Sequence, residues 1–244
     1  MNSKHKIIKR SQETEISEIF SSLQGEGPFL GVSQVFVRFG RCNMHCVYCD
    51  ELEKMKEEAF RIYSLEGLLE AVEGFQKEKG PHHSVSLTGG EPLFYAPFLK
   101  KFLPELKKKG WTTYLETNGT LPAALASVID ACDIIAMDLK PSSSTGDRTF
   151  FEEHEAFLNI ARAKEVFVKV VVTPSTRAEE ITECVRIVAR ADSKIPFIFQ
   201  PLSDPIGINT RSLELIEKEF FSLASKYLQD VRVIPQMHKI WGVR

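Results

Sequence analysis

The sequence predicts an α/β protein built around mostly parallel strands, and two patterns carry that prediction. Strand-like runs alternate with helical segments about six times, which argues for right-handed βαβ units around a parallel sheet. Directly after four of those strands stand polar or glycine-containing turns, at the end of such sheets where ligands gather. The pattern leaves barrel and open sheet both possible. A chain of 244 residues suits one domain over 1–244.

The elements follow in chain order. Residues 1–14 read as a polar extension; Lys4, Lys6, Lys9 and Arg10 have no apolar run behind them, so a secretory signal is not indicated. Residues 33–39 have the composition of a first strand, and residues 84–88 of a second, ended by Gly89-Gly90. Between them, Leu65, Leu68, Leu69, Val72 and Phe75 recur at helical spacing over 64–76, with Ser64 as N-cap. Helical 95–109 then precedes strand 112–117, helical 121–131 precedes strand 133–138, and helical 149–163 precedes strand 166–172. A helix over 177–191, opened by Thr176, precedes strand 196–200, and a helix over 211–228 precedes the strand Val231–Ile234. Ser142 to Gly146 read as a mobile surface loop, and Lys107-Lys108-Lys109 as a solvated helix end.

Composition narrows the function. A hydrophobic share of 43% with 26% charged residues fits a globular protein with a large core. With 31 basic against 33 acidic residues, a net charge of −2 offers no polyanion-binding surface, so no direct nucleic-acid partner is expected. No run approaches membrane-spanning length, so no membrane partner is expected either. Five cysteines make an odd count, and three of them lie within eight residues. That is poor disulfide geometry and good metal spacing, which points to a reducing, cytoplasmic setting.

The three are Cys42, Cys46 and Cys49, a C-x3-C-x2-C loop over 41–50 directly after the first strand. Iron–sulfur cubanes take four protein thiolates, so three from one loop leave one iron for a ligand that is not protein. Two other readings stay open: buried free cysteines, and a zinc site in which His45 completes a tetrahedral shell. Cys132 and Cys184, in apolar segments, read as core.

The loop, with Tyr48 before its last cysteine and Gly89-Gly90-Glu91-Pro92 after the second strand, resembles the radical S-adenosylmethionine superfamily. The resemblance implies a partial (β/α)6-type barrel, a [4Fe-4S] cluster on the three cysteines, and S-adenosylmethionine (SAM) on the vacant iron. It also implies one-electron cleavage of the sulfonium to a 5′-deoxyadenosyl radical that abstracts hydrogen from substrate. The cofactor supplies that reactivity, and the protein supplies positioning. Tyr48, Cys49 and Asp50 would border the adenine, and Gly89, Gly90 and Glu91 the methionine end. Glu116 and Asn118 would reach the ribose, and Asp138, Leu139, Lys140, Gln200, Pro201, Leu202 and Ser203 would complete the pocket. Taken singly, Glu116-Thr117-Asn118-Gly119 reads equally as a turn, and Asp138 with Lys140 as an exposed ion pair.

Two further segments narrow the resemblance. Ser22-Leu23-Gln24-Gly25-Glu26-Gly27-Pro28 and Pro235-Gln236-Met237-His238-Lys239-Ile240-Trp241-Gly242 resemble the 7-carboxy-7-deazaguanine synthase family, over nearly the whole chain. That family contracts the ring of 6-carboxy-5,6,7,8-tetrahydropterin to 7-carboxy-7-deazaguanine with loss of ammonia, in the biosynthesis of queuosine and other 7-deazapurines. By motif position, Leu23, Gln24, Gly25, Glu26, Thr88 and His238 would contact the pterin. Arg38 would pair with its carboxylate, for which a guanidinium is suited, and Arg244 would bring the terminal carboxylate of a 235–244 tail to the substrate. The resemblance further implies Mg2+, an electron donor such as flavodoxin, and a homodimer. One departure stands out: the family places Thr or Ser after Cys-Asp to ligate magnesium, and this chain has Glu51, still a hard oxygen ligand. A glycyl-radical-enzyme activating enzyme is the alternative; it needs a protein partner and gives the two end motifs no role.

Overall fold

The structure, a computed structural model, describes residues 12–51, 60–204 and 207–243. Its strands are β1 (Glu13–Leu23), β2 (Ser33–Phe39), β3 (Arg61–Ser64), β4 (Ser84–Gly89), β5 (Thr113–Thr117) and β6 (Ile134–Leu139). They continue as β7 (Glu165–Val172), β8 (Phe197–Pro201), β9 (Ser203–Asp204), β10 (Gly207–Ile208) and β11 (Val231–Val233). Among the described residues, nine form one sheet in the order β11-β8-β7-β6-β5-β4-β2-β1-β3, with two free edges, as a partial barrel has. Within this sheet the neighbouring strands from β2 to β11 are parallel, and at the other edge β1 alone runs against them, pairing antiparallel with both β2 and β3.

Strand alternation divides the sheet into two unlike faces. One face carries Val35, Val37, Leu87, Leu115, Ile135, Val168 and Phe197, each at most 1% exposed and joined in one cluster with residues of the covering helices. Leu68, Phe98, Phe102, Leu158, Ile181 and Phe220 supply the helical half of that cluster. Burying each such side chain contributes about 1.5–3 kcal/mol. The other face carries, in matching register, Arg38 beside Thr88, Glu116 beside Ala136, Asp138 beside Lys169 and Val171 beside Gln200. Helices cover the apolar face and leave the polar one for the site. At the amino-terminal end of the strands, Phe29 closes the polar cup, its ring meeting Tyr114 at 5.6 Å and Phe167 at 6.3 Å.

Most expected elements form close to their expected bounds. Ser64 caps the helix Leu65–Lys79 by accepting from Gly67 N–H. Cys132 and Cys184 are buried in the core. Other expectations need correction. The polar extension ends earlier than residue 14, because β1 opens at Glu13 and Thr14 is buried; β1 and β3 were not foreseen. The helix Ala178–Asp192 is not capped by Thr176, whose hydroxyl accepts from Thr173 N–H and bonds Ser144. Ser142 to Gly146 form no mobile surface loop but a short helix, Ser142–Thr145, with Ser144 and Thr145 buried. Glu180 anchors it, accepting from Ser142 N–H and hydroxyl and from Ser143 N–H. The helix expected over 211–228 contains a π-helical segment, Ile216–Phe220.

Candidate active site

The polar face of the sheet, the loops at the carboxyl ends of its strands and the chain's last segment enclose a cavity of about 240 Å³. Cys42, Cys46 and Cys49 stand on its wall, half-buried and free. Their loop is held by its backbone. Val47 N–H donates to Thr145 O, Cys49 N–H to Cys46 O, and Arg41 O accepts from Glu91 N–H at 2.7 Å. A clamp stands at its start, where Glu15 of β1 accepts both Nε and Nη2 of Arg41 at 2.5 and 2.8 Å and the Tyr95 hydroxyl at 2.9 Å.

Gly89 and Gly90 bring β4 against this loop. Gly89 has φ +111°, which favours glycine, and a Cβ on Gly90 would lie 2.1 Å from Arg41 O. Glu91 does not line the cavity. It is fully buried beneath the loop and braces β4 to β5 by accepting from Leu93 N–H, the Thr117 hydroxyl and Asn118 N–H. Burial outweighs those three donors and lifts its carboxyl to about 7.

On the substrate side the polar groups are charged and paired. Lys169, in the middle of β7, contacts the Glu26 carboxylate and stands 3.6 Å from Asp138 Oδ2, which also meets Lys140 Nζ at 2.7 Å. Burial opposes the charge on Glu26, but the Lys169 ammonium overrides it and holds the carboxyl down at about 2. Burial likewise opposes the ammonium of Lys140, yet Asp138 keeps its pKa well above the usual lysine value. Lys140 donates to the Tyr48 hydroxyl at 3.1 Å and lies over its ring. The Asp138–Lys140 pair is thus not an exposed one; its side chains are 13% and 12% accessible.

Gln24 and Thr88 meet Glu116. Its carboxylate accepts from Gln24 Nε2 at 3.0 Å, Ser86 Oγ at 2.9 Å and Thr88 Oγ1 at 2.8 Å. Glu116 therefore sits with the residues expected to contact substrate. Arg38, also in the wall, pairs with Glu51 at 2.6 Å and stands 3.7 Å from Glu18. The two end segments converge here as well. Met237 N–H donates to Gly25 O, Gln236 Nε2 donates to Glu26 at 2.9 Å, and a Cβ on Gly25 would strike His238 at 2.6 Å. Lys239 pairs with Asp50 at 3.0 Å.

Most of the residues singled out in the sequence thus border one cavity, including Leu23, Asn118, Gln200, Leu202 and Ser203. Leu139 and Pro201, like Glu91, are not in its wall; the Leu139 side chain is in the hydrophobic core. Arg244 lies outside the described residues. Sequence reasoning missed Lys169, Gln236 and Lys239 as site residues. A signal for Lys169 was present: it is the one charge inside the apolar run Val166 to Val172.

The donor set suits a cluster and a polar cofactor. Burial pushes the Cys42 thiol up to about 11 and raises Cys46 and Cys49 too, so these thiols stay protonated until a metal displaces the proton. Among the described residues, no three His, Cys, Asp or Glu groups gather closely enough to hold a single metal ion, and His45 is exposed. A lone zinc needs its ligands gathered on one point, whereas a cubane offers each thiolate its own iron. Asp138 Oδ1, Gln200 Oε1 and Ser203 Oγ are buried without a hydrogen-bond partner in the protein, as a polar ligand would require.

Comparison with known proteins agrees with this arrangement. Residues 36–176 match the family model of the Radical SAM superfamily. The chain is similar to a 7-carboxy-7-deazaguanine synthase of Geobacter sulfurreducens, at 41% identity over 93% of this chain and 97% of that protein. It is also similar to one of Methanothermobacter thermautotrophicus, at 36% identity over 94% of this chain and 97% of that protein. The crystal structure of QueE from Escherichia coli shares the fold, with a TM-score of 0.63 at 20% identity over 97% of this chain and 100% of that one.

Proposed function

The chain belongs to the Radical SAM superfamily and to its 7-carboxy-7-deazaguanine synthases, and we propose that it converts 6-carboxy-5,6,7,8-tetrahydropterin to 7-carboxy-7-deazaguanine with release of ammonia. One observation carries the reading. The cysteine loop and two segments more than 200 positions apart in sequence, Leu23 to Glu26 and Gln236 to Lys239, border the same cavity.

The superfamily uses an iron–sulfur cluster and SAM, which together supply one-electron sulfonium cleavage and a carbon radical able to abstract hydrogen. Cys42, Cys46 and Cys49 would hold the cluster. Gly90, with no room for a side chain, would let the backbone approach the methionine end, and the unpartnered acceptors of Asp138 and Gln200 would bind polar groups of the cofactor. Glu116, Gln24 and Thr88 would bind the pterin's amino-pyrimidine edge, whose adjacent N–H donors suit a carboxylate. Arg38 would receive the substrate carboxylate in exchange for Glu51. Lys169 keeps Glu26 ionised, ready to accept hydrogen bonds from the substrate.

Three finer points belong to the same proposal: an electron donor such as flavodoxin, a homodimer in a cytoplasmic setting, and Mg2+ with Glu51 as an oxygen ligand. No described helix is long and apolar enough to cross a membrane.

The deciding assay incubates anaerobically reconstituted protein with the carboxypterin, SAM and a strong reductant. Formation of 7-carboxy-7-deazaguanine and ammonia without any protein partner is expected. SAM cleavage seen only with a glycyl-radical protein would favour the activating enzyme instead. Repeating the assay with Glu51→Thr across a magnesium titration tests the metal ligand, and an unchanged curve removes Glu51 from that role.

A further inference from the structure

The sulfur of Cys42 receives hydrogen bonds from two donors, Met44 N–H at 3.4 Å and the side-chain amide of Asn118 at 3.9 Å. The second is fixed by a closed ring of side chains. Asn118 Oδ1 accepts from Thr120 N–H at 3.1 Å and from the Thr120 hydroxyl at 2.6 Å. Because a backbone N–H can only donate, the amide oxygen must face Thr120 and the amide nitrogen must face the other way. That nitrogen donates to Asn43 Oδ1 at 2.9 Å, and Asn43 Nδ2 completes the ring by donating to Thr120 Oγ1 at 2.8 Å. Turning either amide over would set donor against donor.

The backbone beneath the ring is pinned as well. Asn118 N–H donates to Glu91 at 2.8 Å, and His154 Nε2 donates to Asn118 O at 3.0 Å. Asn118 and Thr120 are both buried, so water competes little for the amide. The remaining Asn118 N–H is thereby aimed at one cysteine sulfur by contacts that do not involve the sulfur.

We propose that Asn118 is a positioning residue for the iron–sulfur cluster: through its hydrogen bond to Cys42 it orients that ligand and raises the cluster's reduction potential. The inference rests on the reading of Cys42, Cys46 and Cys49 as cluster ligands. An N–H donor at a thiolate draws electron density from the sulfur and favours the more negative, reduced cluster. Met44 N–H makes the same kind of contact from the backbone, and the side chain adds to it.

Reconstituted wild type, Asn118→Ala, Asn118→Asp and Thr120→Val are compared by redox titration followed by electron paramagnetic resonance, with iron per chain as the check on loading. The midpoint moves to more negative values in both Asn118 variants, furthest in Asn118→Asp, where a carboxylate oxygen replaces the donor. Thr120→Val keeps the amide but loses the hydroxyl that orients it, and shifts the midpoint the same way by less. Loaded Asn118 variants with an unchanged or raised midpoint overturn the proposal. Where they take up no iron, Thr120→Val decides, and a wild-type midpoint there overturns it. A wild-type chain that takes up no iron overturns the cluster assignment itself, and this inference with it.

Discussion

Glu26 and Glu91 are enclosed carboxylates at opposite shoulders of one site, and they are held in opposite states. Glu26, on the substrate side, is 19% exposed and faces the Lys169 ammonium, which sets its carboxyl at about 2. Glu91, under the cysteine loop, is 0% exposed and meets two backbone N–H groups and a hydroxyl, and its carboxyl rises to about 7. Neutral donors do not replace a counter-charge once water is gone. Glu26 therefore keeps a fixed charge opposite Lys169, while Glu91 is held by neutral donors.

Linkage gives the two carboxylates opposite effects on stability. Glu26 lies below its ordinary 4.5, so its contribution is present above pH 4.5 and is lost as the pH falls toward 2. Glu91 lies above 4.5, so its contribution is present below pH 4.5 and is lost as the pH rises through 7.

The largest effect is expected from Lys169→Met, which leaves Glu26 without its counter-charge and makes it resemble Glu91. At pH 7 this should cost about 3 kcal/mol, the lower end for a broken buried pair because both side chains keep some exposure. It reads as a lower urea midpoint at unchanged slope. The loss should shrink below pH 4.5, and an equal loss at every pH contradicts the pairing. Glu91→Gln should have a smaller effect, about 1–2 kcal/mol, because one amide end meets a donor instead of an acceptor. Its sharper signature is a flatter stability profile between pH 4.5 and 7; a profile that still falls like the wild type's assigns the slope elsewhere. Thr117→Val removes one donor from Glu91 at nearly constant shape and should cost about 1 kcal/mol. Loss of that donor should also move the Glu91 transition upward, and an unmoved transition denies the hydroxyl its part.

The same contrast explains what was legible in the sequence. The apolar face of the sheet announced itself, because strands such as Val166 to Val172 and the leucine spacing over 64–76 carry their periods openly. β1 did not, since Glu13 to Leu23 places serines and glutamates among its apolar residues and its pairing with β2 shifts register between Ile16 and Glu18. Ser142 to Gly146 looked like a loop because its burial depends on Glu180, a partner 38 positions away. Motifs at strand ends marked Cys42, Gly90 and Asp138, but Lys169 sits within a strand. It becomes a site residue only when the register sets it beside Asp138 and the turn after β1 brings Glu26 to it.

The claim on which the rest depends is that three thiolates hold a cluster with one iron left for SAM. Electron paramagnetic resonance of the reduced, reconstituted protein tests it by recording the cluster signal before and after SAM is added. A signal that changes on addition, and that disappears altogether in Cys42→Ser, is the predicted result. A chain that binds no iron, or whose signal is indifferent to SAM, contradicts it.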